Sequence, residues 1–342
     1  MKVGVLQFFS WPERRIPLEK VYERAFDRIA IMDETGYDAV WLAEHHFSSF
    51  SICPSVHMMG THIAARTRNI RIGTAVSLAA FYHPLRLAEE VALLDVLSGG
   101  RVNWGAGRGY QEAEFKAFGV PPEESYERFR ESVEVVIEAW RNERMSFDGK
   151  FHHFEDVEVL PKPVQKPHPP VWLASSSAEA VQWAGENDFS IMLDPHSSHQ
   201  KIAEKRRFYR DKLAESGFSD EGKEVPMARL LAVAETRSEA EAIARQGAVW
   251  TVASHEKKGL RPIETQSRLN EALFAAPRIV GDGDSDPVER YMNDVIIYGT
   301  PDEVRDEIER LQEEMYLEYL LCAPLSHSSF ILFTDKVLPY VV

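Results

Sequence analysis

Cysteine is scarce in this sequence: two residues in 342, Cys53 and Cys322, far apart along the chain. That excludes a disulfide framework and the clustered spacing of a zinc site, so no metal centre is expected and a reducing cytosol is the natural compartment. Basic side chains are also in deficit. The 39 Lys and Arg face 54 Asp and Glu, a formal net charge of −15. Such a surface repels phosphate backbones and anionic lipid, which argues against nucleic acid and membrane as partners. Long apolar runs are missing too, since no stretch approaches the roughly 20 apolar residues of a membrane-crossing helix. The opening MKVGVLQFFSWPERR reads as a strand and lacks the cationic start, long apolar core and cleavage site of a signal peptide, so a cytoplasmic protein is expected.

What the chain does have is a recurring alternation. Eight short apolar, β-rich runs occur at Lys2–Phe8, Ala39–Glu44, Ile70–Ser77, Val102–Ala106, Val171–Ala174, Phe189–Leu193, Ala228–Ala234 and Tyr319–Ala323. Between them lie segments of helical periodicity, including Leu18–Thr35, His83–Leu97, Tyr126–Trp140, Ala178–Glu186, Gln200–Ser216, Arg237–Trp250 and Pro301–Glu314. Strands separated by helical crossovers imply a parallel sheet, and eight units are what a single (β/α)8 TIM barrel requires. A doubly wound open sheet is the competing fold. No break in composition divides residues 1–342 into two cores. Ser146–Pro170 reads as a small hairpin followed by a proline-fixed extended segment, and Ala253–Ile297 as a long polar insertion near the seventh unit, either a lid or disordered.

In such barrels the chemistry sits at the carboxyl ends of the strands. The second run ends in Glu44-His45-His46-Phe47, an acid and two imidazoles at the rim. A histidine there can carry a proton near neutral pH with an acid setting its tautomer, or one of the pair can simply pack against a loop. The third run ends in Gly73-Thr74-Ala75-Val76, and the fourth in Gly105-Ala106-Gly107-Arg108-Gly109-Tyr110. The latter has G-x-G-x-G spacing, not the G-x-G-x-x-G of a dinucleotide fingerprint. Its small residues leave room for a flat ligand, while Arg108 is either a fork for phosphate or the partner of a nearby acid. The fifth run enters Ser175-Ser176-Ser177 and a helix, where the hydroxyls can cap the helix or add donors to a bound phosphate. Together these features suit an anionic, planar cofactor such as flavin mononucleotide.

The segments Trp41-Leu42-Ala43-Glu44-His45-His46-Phe47, Ile72-Gly73-Thr74-Ala75, His83-Pro84-Leu85-Arg86-Leu87-Ala88-Glu89-Glu90 and Leu94-Asp95-Val96-Leu97-Ser98-Gly99-Gly100-Arg101 resemble bacterial luciferase-like monooxygenases in order and spacing. Gly105 to Arg108, Phe118-Gly119, Pro161 to Gln165 and Val171 to Ser177 continue the resemblance, and beyond Pro195 it persists mainly in layout. The resemblance implies a (β/α)8 barrel and a reaction in which reduced FMN, supplied by a separate reductase, meets O2 and forms a flavin C4a-hydroperoxide that oxygenates a small organic substrate. It assigns proton transfer to His45, with Glu44 orienting it or supporting the strand end. It matches Arg108 and Ser176 or Ser177 to phosphate-binding positions, places a non-proline cis peptide at Ala75–Val76, and implies a homodimer; with the strand-end reading, the expected flavin contacts are Gly73, Thr74, Ala75, Gly107, Arg108, Ser175, Ser176 and Ser177.

The departures bear on substrate. Gly107 stands where the luciferase α subunit has a reactive cysteine, and Tyr126, with Arg128 two residues on, where it has a second phosphate-binding arginine. Asp194 and Pro195 replace a Trp and a Ser of its pocket, so neither the long-chain aldehyde nor light carries over. Two rivals remain: an F420-dependent hydride-transfer enzyme on the same barrel, and a non-catalytic flavin-binding partner subunit.

Overall fold

In this computed structural model, residues 1–256 and 286–342 are described. The strands form where the sequence is apolar on both faces, as strands covered on both sides must be. β1 (Lys2–Gln7), β2 (Ala39–Leu42), β3 (Arg71–Thr74), β4 (Ser77–Leu78) and β5 (Val102–Gly107) are buried almost throughout. The antiparallel hairpin β6 (Met145–Asp148) and β7 (His153–Val157) stands outside the main sheet, as the sequence suggested for this stretch. β8 (Val171–Ala174), β9 (Ser190–Met192), β10 (Pro226–Val233), β11 (Ile297–Gly299) and β12 (Tyr319–Pro324) complete the set.

The main sheet runs β11-β10-β12-β1-β2-β3-β5-β8-β9, every pairing parallel, with β4 adding to β5. All eight expected runs are strands. The result is an α/β fold on a curled parallel sheet. Among the described residues no ladder joins β9 to β10, so the backbone hydrogen bonds do not by themselves close the expected eight-unit barrel.

The crossovers are helices α1 (Leu18–Glu34), α2 (Val56–Ala64), α3 (Pro84–Ser98), α4 (Glu112–Phe118), α5 (Ser125–Arg141), α6 (Ala178–Glu186), α7 (His199–Glu215) and α8 (Arg237–Glu256). α9 (Pro287–Asp294), α10 (Pro301–Met315), α11 (His327–Lys336) and α12 (Leu338–Val341) follow. α10 opens with a full capping box between Thr300 and Glu303. The segment Ala253–Ile297, expected as a polar insertion, is regular at both ends: α8 extends to Glu256, and Asp286 caps α9, which leads into β11. The rest of that insertion, with the lid expectation, lies outside the described residues.

Side chains inside the curl form their own core around Leu6, Trp41, Trp172, Met192, Ala228 and Tyr319. Trp41 Nε1 donates to Tyr319 Oη at 2.9 Å, and Tyr319 donates to Asp38 at 2.6 Å, satisfying the buried indole and phenol. Gly73 is glycine because a Cβ there would lie 2.3 Å from the Trp41 ring. A larger core between the strands and the surrounding helices holds the layers together.

Candidate active site

Beyond the carboxyl ends of β2 and β5 the chain places two carboxylates and two imidazoles side by side. Glu44, almost fully buried, accepts from His46 Nε2 at 3.0 Å, from the Tyr82 hydroxyl at 3.0 Å and from the Leu78 N–H at 3.3 Å. Of the two roles expected for it, orienting His45 or supporting the strand end, its contacts run to His46 and the Leu78 turn, and among the described residues none runs to His45. The acid facing His45 is Glu114 on α4, which the sequence reading missed. Its Oε1 lies 3.4 Å from His45 Nδ1 and accepts the His46 backbone N–H at 3.0 Å, while its Oε2 is buried without a partner among the described residues. An acceptor on Nδ1 fixes the imidazole orientation and leaves Nε2 as the proton-handling atom. His45 is further walled by the edges of Phe50, at 5.3 Å, and Tyr110, at 5.8 Å.

The small residues at the strand ends divide into two groups. Thr74 is fully buried, its hydroxyl donating to Gly105 O at 2.7 Å and accepting from Gly105 N at 2.9 Å. That hydroxyl and Gly73 are thus consumed by packing inside the sheet. Ala75 and Val76, joined by a cis peptide, are partly buried at the edge of the inner core. A Cβ on Gly107 would meet Val76 Cγ2 at 2.3 Å and Ala174 Cβ at 3.4 Å, so these residues form one continuous small-residue shelf.

Beside that shelf is a cationic corner. β5 and β8 are paired neighbours, so Arg108 at the end of one stands next to Ser175–Ser177 at the end of the other. Burial lowers the pKa of Arg108 from its ordinary value. Arg130, stacked on Tyr126 and Trp183, donates to the Tyr126 hydroxyl at 2.8 Å and to Glu179 O at 3.3 Å, and its buried Nε has no partner among the described residues. Arg128, weighed in the sequence as a phosphate contact, is drawn away by Glu124 at 2.8 Å and the Phe151 ring at 4.2 Å. The serines differ in role. Ser175 is buried and its hydroxyl donates to Leu173 O at 3.1 Å; Ser177 caps α6, accepting from Ala180 N at 3.2 Å; Ser176 is exposed.

The loop after β9, the strand paired with β8, and the end of α8 bring His196 and His255 to Phe50. Phe50 stacks on Trp250 with centroids 5.4 Å apart and meets the His255 ring at 5.4 Å, and His255 meets His196 at 5.2 Å. Asp194 and Lys205 form an ion pair at 2.8 Å, with Asp194 also accepting the N–H groups of His196 and Ser197. Lys205 and these hydrogen bonds hold the Asp194 carboxyl well below the usual range despite its burial. None of these pairings was legible in the sequence, where Asp194 and Pro195 appeared only as departures.

The family model described as luciferase-like monooxygenase matches residues 1–317. This chain belongs to that family. Among curated relatives, the oxygenase component of flavin-dependent trigonelline monooxygenase from Acinetobacter baylyi is 27% identical over 231 residues, covering 67% of this chain and 64% of that protein. The chain spans about half the length of two further curated relatives it matches. The monooxygenase RslO1 of Streptomyces bottropensis superposes over 100% of both chains with a TM-score of 0.84 and 26% identity. Two structures share the fold alone. An oxygenating constituent of 3,6-diketocamphane monooxygenase from Pseudomonas putida, in complex with FMN, covers 100% of this chain and 99% of its own, at 18% identity and a TM-score of 0.78. An F420-dependent secondary alcohol dehydrogenase, with the same coverage, stands at 17% and 0.76.

Proposed function

We propose that this chain is the oxygenase of a two-component flavin-dependent monooxygenase, taking reduced FMN from a separate reductase and using O2 to oxygenate a small organic substrate. The observation that carries this reading is the cationic corner beside the shelf, together with the His45–Glu114 pair beyond the ends of β2 and β5. The residues fit FMN: Arg108, the unpartnered Arg130 Nε, the exposed Ser176 hydroxyl and the start of α6 are donors suited to a phosphate dianion. Ala75, Val76, Gly107 and Ala174 offer the ring system a surface without polar side chains. Of the residues expected to touch the cofactor, Gly73, Thr74 and Ser175 then act by shaping the strand ends, and Arg108, Ser176 and Ser177 by binding.

Reduced flavin supplies two electrons and the means of activating O2 when bound. His45 holds or delivers a proton at Nε2 with Glu114 on its other nitrogen, and Glu44 keeps His46 and the Leu78 turn in place. Phe50, Trp250 and Tyr110 exclude water from the mouth. The closed (β/α)8 barrel, cytoplasmic location and homodimer belong to the same reading. The homodimer is supported by the exposed apolar side chains Met58 on α2 and Leu93 and Leu97 on α3.

Anaerobic titration with reduced FMN, then rapid mixing with O2 and substrate, tests the reading. Saturable binding with substrate-dependent O2 consumption is expected. Failure of reduced FMN to bind, with F420 binding in its place, would transfer the chain to the hydride-transfer class.

A further inference from the structure

Two imidazoles outside the flavin corner have their hydrogen-bond roles fixed in opposite senses. His255 Nδ1 lies 2.8 Å from Thr251 O, a carbonyl that can only accept, so Nδ1 carries the proton and Nε2 presents a lone pair. His196 Nδ1 lies 2.8 Å from the Tyr291 hydroxyl, and of that pair the phenol O–H is the stronger donor and the imidazole nitrogen the stronger acceptor. The Tyr291 O–H therefore donates to His196 Nδ1, and the His196 proton resides on Nε2. Neither Nε2 has a hydrogen-bond partner among the described residues. The two rings are neighbours, meeting edge to face with centroids 5.2 Å apart.

Their surroundings are aromatic. His255 abuts Phe50, which stacks on Trp250 and meets Phe8 at 5.4 Å, and Phe50 also touches His45. Both histidines are held neutral. Burial is the main cause, and it lowers His196 to about 3 and His255 below its ordinary value. The nearby cations are engaged: Lys205 with Asp194, and Arg290 with His196 O at 3.0 Å and the Tyr291 ring.

We propose that His196 and His255 together recognise an uncharged hydroxyl group on an aromatic substrate, His196 Nε2–H donating to the hydroxyl oxygen and His255 Nε2 accepting its hydrogen. The inference rests on the oxygenase reading and adds the substrate class: a hydroxylated arene, seated against Phe50 and Trp250 with its hydroxyl on the side of β9 and α8. A site built to satisfy both functions of a hydroxyl rejects the analogue that cannot donate, because His255 Nε2 is then left facing an ether.

The test is calorimetric titration of the whole protein, with and without oxidised FMN, using a naphthol, its methyl ether and the corresponding naphthoate. Binding of the naphthol about tenfold or more tighter than the ether, in at least one of the two forms, is expected. That preference should disappear in His255→Gln and in His196→Phe, checked for native fold by near-ultraviolet circular dichroism. Equal affinity for naphthol and ether, no binding of either, or a preference retained in both variants overturns the proposal. So does tighter binding of the naphthoate, which would assign the site to an anion held by Arg290 Nη2, an atom without a hydrogen-bond partner among the described residues. FMN binding is recorded in the same samples. Loss of the hydroxyl preference with FMN bound refutes this inference alone, whereas naphthol selectivity without any flavin affinity, oxidised or reduced, refutes the oxygenase reading.

Discussion

Glu114 Oε1 lies 3.4 Å from His45 Nδ1 and accepts the His46 backbone N–H at 3.0 Å, so one buried carboxylate fixes both the ring and the main chain of the His-His pair. Glu44, adjacent to His45 in sequence, contacts the neighbouring imidazole instead. The two acids thus serve different histidines, and substitutions at them have different consequences.

Glu114→Gln keeps the shape and the hydrogen bond to His46 but removes the charge facing His45. Turnover is expected to fall about tenfold to a hundredfold, a fraction of what a general acid–base group contributes. The dissociation constant for reduced FMN should stay within error. His45→Ala should lower turnover further, and the double variant should be no worse than His45→Ala. A multiplicative loss in the double variant would show that Glu114 acts independently of His45.

Arg130→Ala is expected to weaken reduced FMN binding by about tenfold to a hundredfold, the range for losing a hydrogen bond to a charged group. Arg128→Ala should leave it unchanged, because that guanidinium is turned to Glu124 and Phe151. Equilibrium titration under anaerobic conditions reads both. The reverse pattern would move the phosphate to the other face of α5.

The alternation of apolar runs and helical segments was enough to read the parallel sheet, because strands buried on both faces and amphipathic crossovers leave distinct periodicities. Ala178–Glu186 emerges as read. Glu114 was not legible: α4 is short, and its meeting with His45 is a long-range contact that no local period encodes. Arg130 could have been found. It stands four residues after Tyr126 and so shares its helix face, whereas Arg128, two residues on, is turned away. The histidine pair of β9 and α8 depends on packing around Phe50, which spacing alone does not reveal. The ends of the long insertion were read as polar insertion because the exposed Glu289, Asn293 and Asp294 of α9 mask its buried Tyr291 and Met292, and because Ser254 and His255 of α8 are polar residues that the fold buries.

Gly107→Ala places a methyl group against Val76 Cγ2, where the gap is 2.3 Å. The melting temperature should drop, by an amount corresponding to about 1–3 kcal/mol of overpacking. Val76→Ala removes the obstructing methyl, so the double variant should recover most of that loss. A thermal double-mutant cycle measures the coupling, and strict additivity would mean that the shelf yields by moving its backbone instead.

Acid stability depends on His199. Arg229, fully buried, donates from Nε to His199 Nδ1 at 3.1 Å, a bond only a neutral imidazole can accept. Burial, with Arg229 adding, lowers His199 from its ordinary value to about 3. The unfolded chain keeps the ordinary value near 6.5, so below that pH it binds a proton the folded state refuses. The stability from this site is therefore complete above about pH 6.5 and is lost progressively as pH falls, on the order of 1–2 kcal/mol by pH 5. His199→Gln retains an acceptor for Arg229 without the titration, and should flatten the dependence of unfolding free energy on pH between about 6.5 and 5. His196, lowered to about 3 by the same physics, leaves a residual slope. Denaturant titrations at several pH values measure the difference, and identical slopes for the two proteins would show that His199 accepts its proton in the folded state.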